Sequence, residues 1–221
     1  SDPDGLIAVG GKLTADWLVT AYKNGIFPWS IDDEEILWWC PSERAVLVPG
    51  EMKISKSLQK TLRKKKFTIR FDYNFSKIIN ECANNANRSD ETWITRNMIH
   101  AYCKLHDIGI SHSIAVYEKD SLVGGLYGVQ IGRIFCGESM YQLRSDASKV
   151  AFYYLQEYLK KRQCKLIDCQ MMNPHLKSLG VNPITRQEFM RIVKANLTRF
   201  LIINISLILK HFTSSQYILI F

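Results

Sequence analysis

An α+β fold built on a mixed sheet is what this sequence predicts, on three observations. Residues 111–141, SHSIAVYEKDSLVGGLYGVQIGRIFCGESMY, read as three strands with turn signals at Lys119–Asp120 and Ile131–Gly132, an antiparallel meander. SDASKVAFYYLQEYLKKRQ then carries a helical period that starts near Ser145 or Asp146. KLIDCQ, at 165–170, is one more apolar strand. A meander, a helix and a strand that must return beside the meander together give a mixed sheet.

The remaining elements follow in order. Residues 14–25, TADWLVTAYKNG, read as a helix capped by Thr14, striped by Trp17, Leu18 and Ala21, and ended at Gly25. A loop with Pro28, Trp29, Asp32 and Asp33 leads into ILWWCPSERAVLVP, one or two short strands broken at Pro41. Residues 51–66 read as an amphipathic helix. Ile54, Leu58 and Leu62 form its buried stripe, and Lys53, Lys56, Lys60 and Arg63 or Lys64 the opposite one. FTIRFDY is a strand, FSKIINECAN a helix and NNANRSDE a polar loop. TRNMIHAYCKLHDIG is a helix capped by Thr95 and ended at Gly109, and TRQEFMRIVKAN is the last helix. The end of the chain is very apolar, but its run from Phe200 to Leu209 is too short for a bilayer, which needs roughly 20 residues. It reads as a final core strand, a peripheral contact or an altered C-terminus.

Composition narrows the class. With 221 residues, 47% hydrophobic and 23% charged, the chain supports one large domain, alone or with a small partner. A net charge of +8 favours an anionic partner: nucleic acid, a nucleotide-bearing substrate or an acidic membrane face. Simple solubility is the plainer alternative. Six cysteines make no CxxC pair. The start, SDPDGLIAVGG, reads as trimmed and has neither a basic n-region nor a long apolar h-region. Both features point to a reducing, cytoplasmic setting.

Several groups of residues are candidates for chemistry. Eight Lys or Arg fall within residues 51–70. Lys53, Lys56, Lys60, Arg63 and Lys64 gather on one helical face, the footprint of a phosphate-backbone contact; a solvated face is the alternative. Trp29 and Trp93 lie off clean apolar periods, where a ring can stack on a base or simply fill a rim. His100, Cys103, His106 and His112 lack a second pair with zinc spacing, so no metal is expected. Cys136 or Cys169 with His175 has no nucleophile signature and reads as buried thiols. Gly124, Gly125, Gly128 and Gly132 thin a strand–turn region for close approach by a ligand or backbone. Glu138 follows a strand irregularity at Gly137 and sits among Phe135, Cys136 and Met140, so a buried Glu138 needs a cationic partner, in the protein or on a ligand. Asp168 and Gln170, two apart on a strand, would share a face: an acid beside an amide, either catalytic or a structural hydrogen-bond pair.

GLIAVGGKL, AYKNGIFPW, ILWWCPSERAVL, TWIT, AYCKLHDIGISHSIAVY, LVGGLYGVQIGRIFCGESM, ASKVAF and LIDCQ occur in order from about residue 5. Together with the sequence that runs on to about residue 194, they resemble bacterial leucyl/phenylalanyl-tRNA–protein transferase. The tail after about 196 does not. The resemblance implies a small N-terminal α/β domain over 1–50, an acetyltransferase-like (GNAT-like) catalytic domain over 51–196 and an atypical tail over 197–221. It implies transfer of Leu or Phe, less well Met, from aminoacyl-tRNA to the α-amine of proteins that begin with Arg or Lys. These products would be marked for N-degron degradation. No cofactor and no membrane partner are expected.

In that resemblance Asp168 holds and polarises the amide of Gln170, which accepts a hydrogen bond from the attacking amine. Glu138 pairs with a substrate ammonium. Leu126, Phe135, Met140, Phe152, Leu155, Leu159 and Ile167 form the donor side-chain pocket, Trp29 and Trp93 lie near the terminal adenosine, and the basic helix meets the tRNA body. Two other classes stay in view: an acyl-CoA-dependent N-acyltransferase, though MYQLRSDASK lacks a glycine-rich pyrophosphate loop, and a non-catalytic RNA-binding module.

Overall fold

The computed structural model describes residues 4–29, 35–84 and 92–197. Asp32, Asp33, the polar loop at 85–91 and the apolar tail beyond 197 lie outside the described residues.

The chain begins with strand β1 (Leu6–Val9), helix α1 (Ala15–Lys23), β2 (Phe27–Pro28) and β3 (Leu37–Trp39). These three strands make a small sheet in the order β1-β3-β2. As expected, Thr14 caps α1, its hydroxyl accepting from the N–H of Trp17. Next come β4 (Glu43–Leu47), α2 (Lys56–Arg63), β5 (Phe67–Phe71), α3 (Phe75–Asn84) and α4 (Arg96–Asp107). The basic helix is therefore shorter than the 51–66 its periodicity predicts. Ser55 caps it by accepting from Leu58 N–H, and Lys65, at φ 47°, turns the chain out of helical backbone.

The meander is β6 (Ser111–Glu118), β7 (Ser121–Ile131) and β8 (Ile134–Gln142). Its second turn falls at Gly132–Arg133, one residue later than read from the sequence. Helix α5 (Ala147–Lys161) crosses over, and β9 (Leu166–Asp168) returns parallel to β8. Four elements went unforeseen: strand β1, strand β2 at the start of the segment read as a loop, the one-turn helix α6 (Pro174–Ser178), with Asn173 as its cap, and the short strand β10 (Asn182–Thr185). Helix α7 (Arg186–Asn196) ends the described chain. The large sheet runs β10-β4-β9-β8-β7-β6-β5, all antiparallel except β8–β9. The fold is thus the mixed α+β architecture expected.

Helices cover both faces of this sheet. On one, α1, α3, α4 and α7 pack against Tyr127, Val129, Cys136 and Tyr141. On the other, α5, α2 and α6 pack against Leu126, Phe135 and Ile167. Helix α5 presents Ala147, Ala151, Leu155 and Leu159, four residues apart, as its buried line. Gly128 makes room for protein rather than for ligand: a Cβ there would meet the Cys136 carbonyl oxygen and come within 2.6 Å of the Phe135 ring.

Candidate active site

The irregularity expected at Gly137 is a β-bulge. Gly128 pairs with Gly137 and Tyr127 with Ser139, so Glu138 is the extra residue. The bulge resets the alternation of β8. Cys136 and Tyr141 pack on one face although they are five positions apart, and Phe135 and Met140, also five apart, pack on the other. Glu138 itself is 8% exposed. Its Oε1 accepts from the Tyr22 hydroxyl at 2.7 Å and from Gln170 Nε2 at 2.8 Å, and its Oε2 from the Tyr102 hydroxyl at 3.1 Å. The two phenols also bond each other. No cation of the protein meets Glu138 among the described ion pairs. Burial pushes its proton affinity up, the two phenol hydrogen bonds pull it part of the way back, and it comes to rest at about 7.

Asp168 corrects one expectation. Its carboxylate does not touch the amide side chain of Gln170. Strand β9 stops at Asp168, and Gln170 adopts φ 63°, so the same-face rule for strands no longer applies. Asp168 is fully buried and forms a two-point pair with Arg44: Nε to Oδ1 and Nη2 to Oδ2, each 2.7 Å. Oδ1 also accepts the backbone N–H of Gln170 at 2.9 Å. Arg44 is 1% exposed and lies between the rings of Phe27 and Phe189, 4.7 and 4.5 Å from their centroids. Its Nη1 donates to the Gly25 carbonyl. The carboxylate that grips the Gln170 amide is Glu138. Because an ionised carboxylate only accepts, the amide turns its NH₂ toward Glu138 and leaves its carbonyl oxygen for the cleft.

That cleft has a volume of about 380 Å³, within the usual range for small-ligand sites. Of the predicted residues, Glu138, Gln170, Trp29, Trp93, Leu126, Phe135, Met140, Phe152 and Leu155 line it. Asp168, Leu159 and Ile167 do not. Asp168 lies behind Gln170, Ile167 is fully buried, and Leu159 faces a separate small void. The sequence reading missed Pro28, Met171, Met172, Asn173 and Leu176 on the lining; the run MMNP directly after Gln170 was the available signal. Tyr22, Tyr102 and Arg44 were missed as well. Arg44 had a readable sign, a lone Arg against the apolar run AVLV, which calls for a buried acid.

Cys136 lies beneath the cleft, and burial raises its thiol well above the usual range. Burial raises that of Cys169 too. Neither is poised as a thiolate. Lys53, which precedes the basic helix, Lys56, Lys60 and Arg63 on it, and Lys64 at its C-terminal cap are all exposed. The last four border a shallow surface groove. Thr61 on the same helix donates to Asp146, the residue that opens α5, at 2.8 Å, so the basic face is braced against the helix that carries Phe152 and Leu155. Among the described residues no helix is long and apolar enough to cross a membrane, and no cluster of three His, Cys, Asp or Glu could hold a metal.

Comparison with known proteins bears on this arrangement. Residues 46–194 match the family described as leucyl/phenylalanyl-tRNA protein transferase, and residues 11–42 match its N-terminal domain. Proteins named leucyl/phenylalanyl-tRNA–protein transferase share about half of their residues with the chain. The one from Shewanella piezotolerans is 49% identical over 194 residues, 88% of this chain and 82% of that protein. The one from Azoarcus sp. is 48% identical over 189 residues, 86% and 80%, and the one from Flavobacterium johnsoniae 48% over 196 residues, 88% and 92%. Among solved structures, a GCN5-related N-acetyltransferase from Kribbella flavida aligns with a TM-score of 0.41 and 11% identity, over 74% of this chain and 58% of that one.

Proposed function

The chain belongs to the leucyl/phenylalanyl-tRNA protein transferase family and is an aminoacyltransferase, and from that premise we propose that it moves Leu, Phe or, less well, Met from aminoacyl-tRNA to the N-terminal α-amine of proteins beginning with Arg or Lys. The products are marked for N-degron degradation, and the setting is the cytoplasm. No cofactor takes part. Residues 1–50 act as the small N-terminal domain and 51–196 as the catalytic one.

One observation carries the reading: a single cleft joins an apolar end, a polar end and a tryptophan rim. Leu126, Phe135, Met140, Phe152 and Leu155 take the donor side chain. Such a pocket selects by size and separates Leu, Phe and Met only weakly. Trp29 and Trp93 offer ring faces to the terminal adenosine. The amine attacks the ester carbonyl carbon, a C–N bond forms, and the C–O bond to the ribose breaks. The ribose oxygen leaves as a hydroxyl, and the proton lost by the amine reaches it directly or through water.

An ester is already activated, so positioning does most of the work. The Gln170 carbonyl oxygen accepts from the attacking amine and aims its lone pair. Glu138 holds that amide in the required orientation, and its remaining acceptor capacity faces an ammonium in the cleft. Tyr22 and Tyr102 fix Glu138 in turn. Asp168 acts one step further back, through Arg44 and the Gln170 backbone. The exposed lysines and arginines around α2 meet the tRNA backbone without reading sequence.

The test supplies labelled Leu-tRNA or labelled acetyl-CoA, with peptides beginning in Arg, Lys or Ala. Label from Leu-tRNA on the Arg and Lys peptides alone is expected. Label from acetyl-CoA instead supports an acyl-CoA enzyme, and RNA binding without transfer supports a binding module.

A further inference from the structure

His175 lines the cleft, and no step of the transfer uses it. It belongs to α6 and precedes Leu176, which packs in one cluster with Phe152 and Leu155 of α5 and Leu58 of α2. Its carbonyl accepts from the Ser178 hydroxyl. Its ring has no hydrogen-bond or ion-pair partner among the described residues. Lys149 lies on α5 three residues before Phe152, another residue of the cleft, and residues three apart share a helical face. Partial burial, and after it the Lys149 ammonium, hold the proton affinity of the His175 ring below that of a free imidazole. The two side chains are therefore electrostatic neighbours at the edge of the cleft.

Lys149 also connects that edge to the basic helix. Its Nζ is 3.3 Å from Asp146 Oδ1, and Asp146 Oδ2 accepts from the Thr61 hydroxyl at 2.8 Å. Thr61 lies between Lys60 and Arg63 on α2. An ammonium has three donors, the pair with Asp146 occupies one, and the Lys149 side chain is 32% exposed. Donors thus run from the face of α2 through Lys149 to His175. A tRNA end held by its body at α2 and by its last base at Trp29 and Trp93 must carry its final phosphodiester along this line.

We propose that Lys149 and His175 form a phosphate subsite at the lip of the cleft, which holds the phosphodiester 5′ to the terminal adenosine and so fixes where the ester enters. The inference rests on the aminoacyl-transfer reading and deepens it. One phosphate oxygen accepts from the Lys149 ammonium and another from an imidazole N–H of His175. Negative charge placed between them also offsets the repulsion that Lys149 exerts on a protonated His175. The subsite reads charge and position, not base identity.

The test measures binding of two compounds to the full chain: phenylalanyl-adenosine joined through an unreactive 3′-amide, and the same compound carrying a 5′-phosphate. The phosphate should tighten binding to the unaltered chain about tenfold or more, the size of a charge-assisted hydrogen bond. Lys149→Gln and, separately, His175→Ala should each cut that gain to below about threefold. Either variant carries the test if the other fails to fold, as melting curves will tell. Transfer of Leu from Leu-tRNA by the unaltered chain is measured alongside.

A phosphate that adds nothing in a chain that transfers Leu overturns the subsite alone. A gain kept in either folded variant also overturns it, because a merely structural residue weakens both compounds alike and leaves their ratio in place. If the unaltered chain transfers no Leu, the aminoacyl-transfer reading fails and takes this one with it.

Discussion

Asp168 and Glu138 are both buried, on neighbouring parallel strands, yet they meet opposite surroundings. Asp168 faces a guanidinium that two phenyl rings hold in place. Glu138 faces two phenols and an amide, all neutral. A full counter-charge with two-point geometry offsets the loss of hydration around the first carboxylate. Neutral dipoles offset only part of it around the second, so burial lifts Glu138 to about 7. One anion joins β4, β9 and α7 into a rigid backing. The other sits at the cleft and changes protonation near neutrality, the behaviour of a group placed for chemistry.

The comparison breaks most severely at Arg44. Arg44→Ala leaves Asp168 buried and unpaired, and should lower unfolding stability by about 3–5 kcal/mol, read by urea titration. Asp168→Ala strands the guanidinium and should act alike. A loss below about 1 kcal/mol would mean the pair does not hold the fold together.

The pH dependence of stability sharpens the contrast. The folded chain binds the Glu138 proton more tightly than the unfolded chain, so the stabilisation is complete below about 4.5 and is lost as pH rises through about 7. Its total is about 3 kcal/mol. Glu138→Gln should remove that fall. Plotting the difference in melting temperature between the two proteins against pH tests it, and a flat difference from pH 4.5 to 8 would contradict the assigned surroundings of Glu138.

Gln170→Ala should do what the Arg44 change does not. Turnover should drop on the order of a hundredfold through lost positioning, while the urea midpoint moves little. Equal losses of turnover and stability would turn Gln170 into a structural residue. The smallest effect belongs to the basic helix. Changing Lys60, Arg63 and Lys64 together to Ala should leave stability unchanged and lower the salt dependence of tRNA binding by roughly two counterions. An unchanged salt slope would move the RNA contact elsewhere.

Much of the scaffold was legible. Thr14 and Thr95 cap the helices they were expected to cap, because a hydroxyl next to a helical period acts over three residues. The meander, the crossover and the strand after it followed from periods of two and of 3.6. The Gly137–Glu138 irregularity was legible as well, and five of the seven apolar residues expected in a pocket line the cleft. Leu159 and Ile167 do not, since the same aliphatic pattern marks a pocket wall and the core layer behind it. The pairing of Asp168 with Gln170 failed for a local reason: the strand ended two residues too early for its side-chain alternation to hold.

Local order, then, was determined by the sequence itself: where helices start, which strands alternate, which residues are apolar, and the long strings that carry the family. Which carboxylate meets a cation and which meets phenols was decided only by the tertiary structure. Arg44 reaches Asp168 across 124 residues and Tyr22 reaches Glu138 across 116. Charge pairing and desolvation depend on distance and burial in space. No pattern within a few residues of either acid records which distant segment the fold will bring against it.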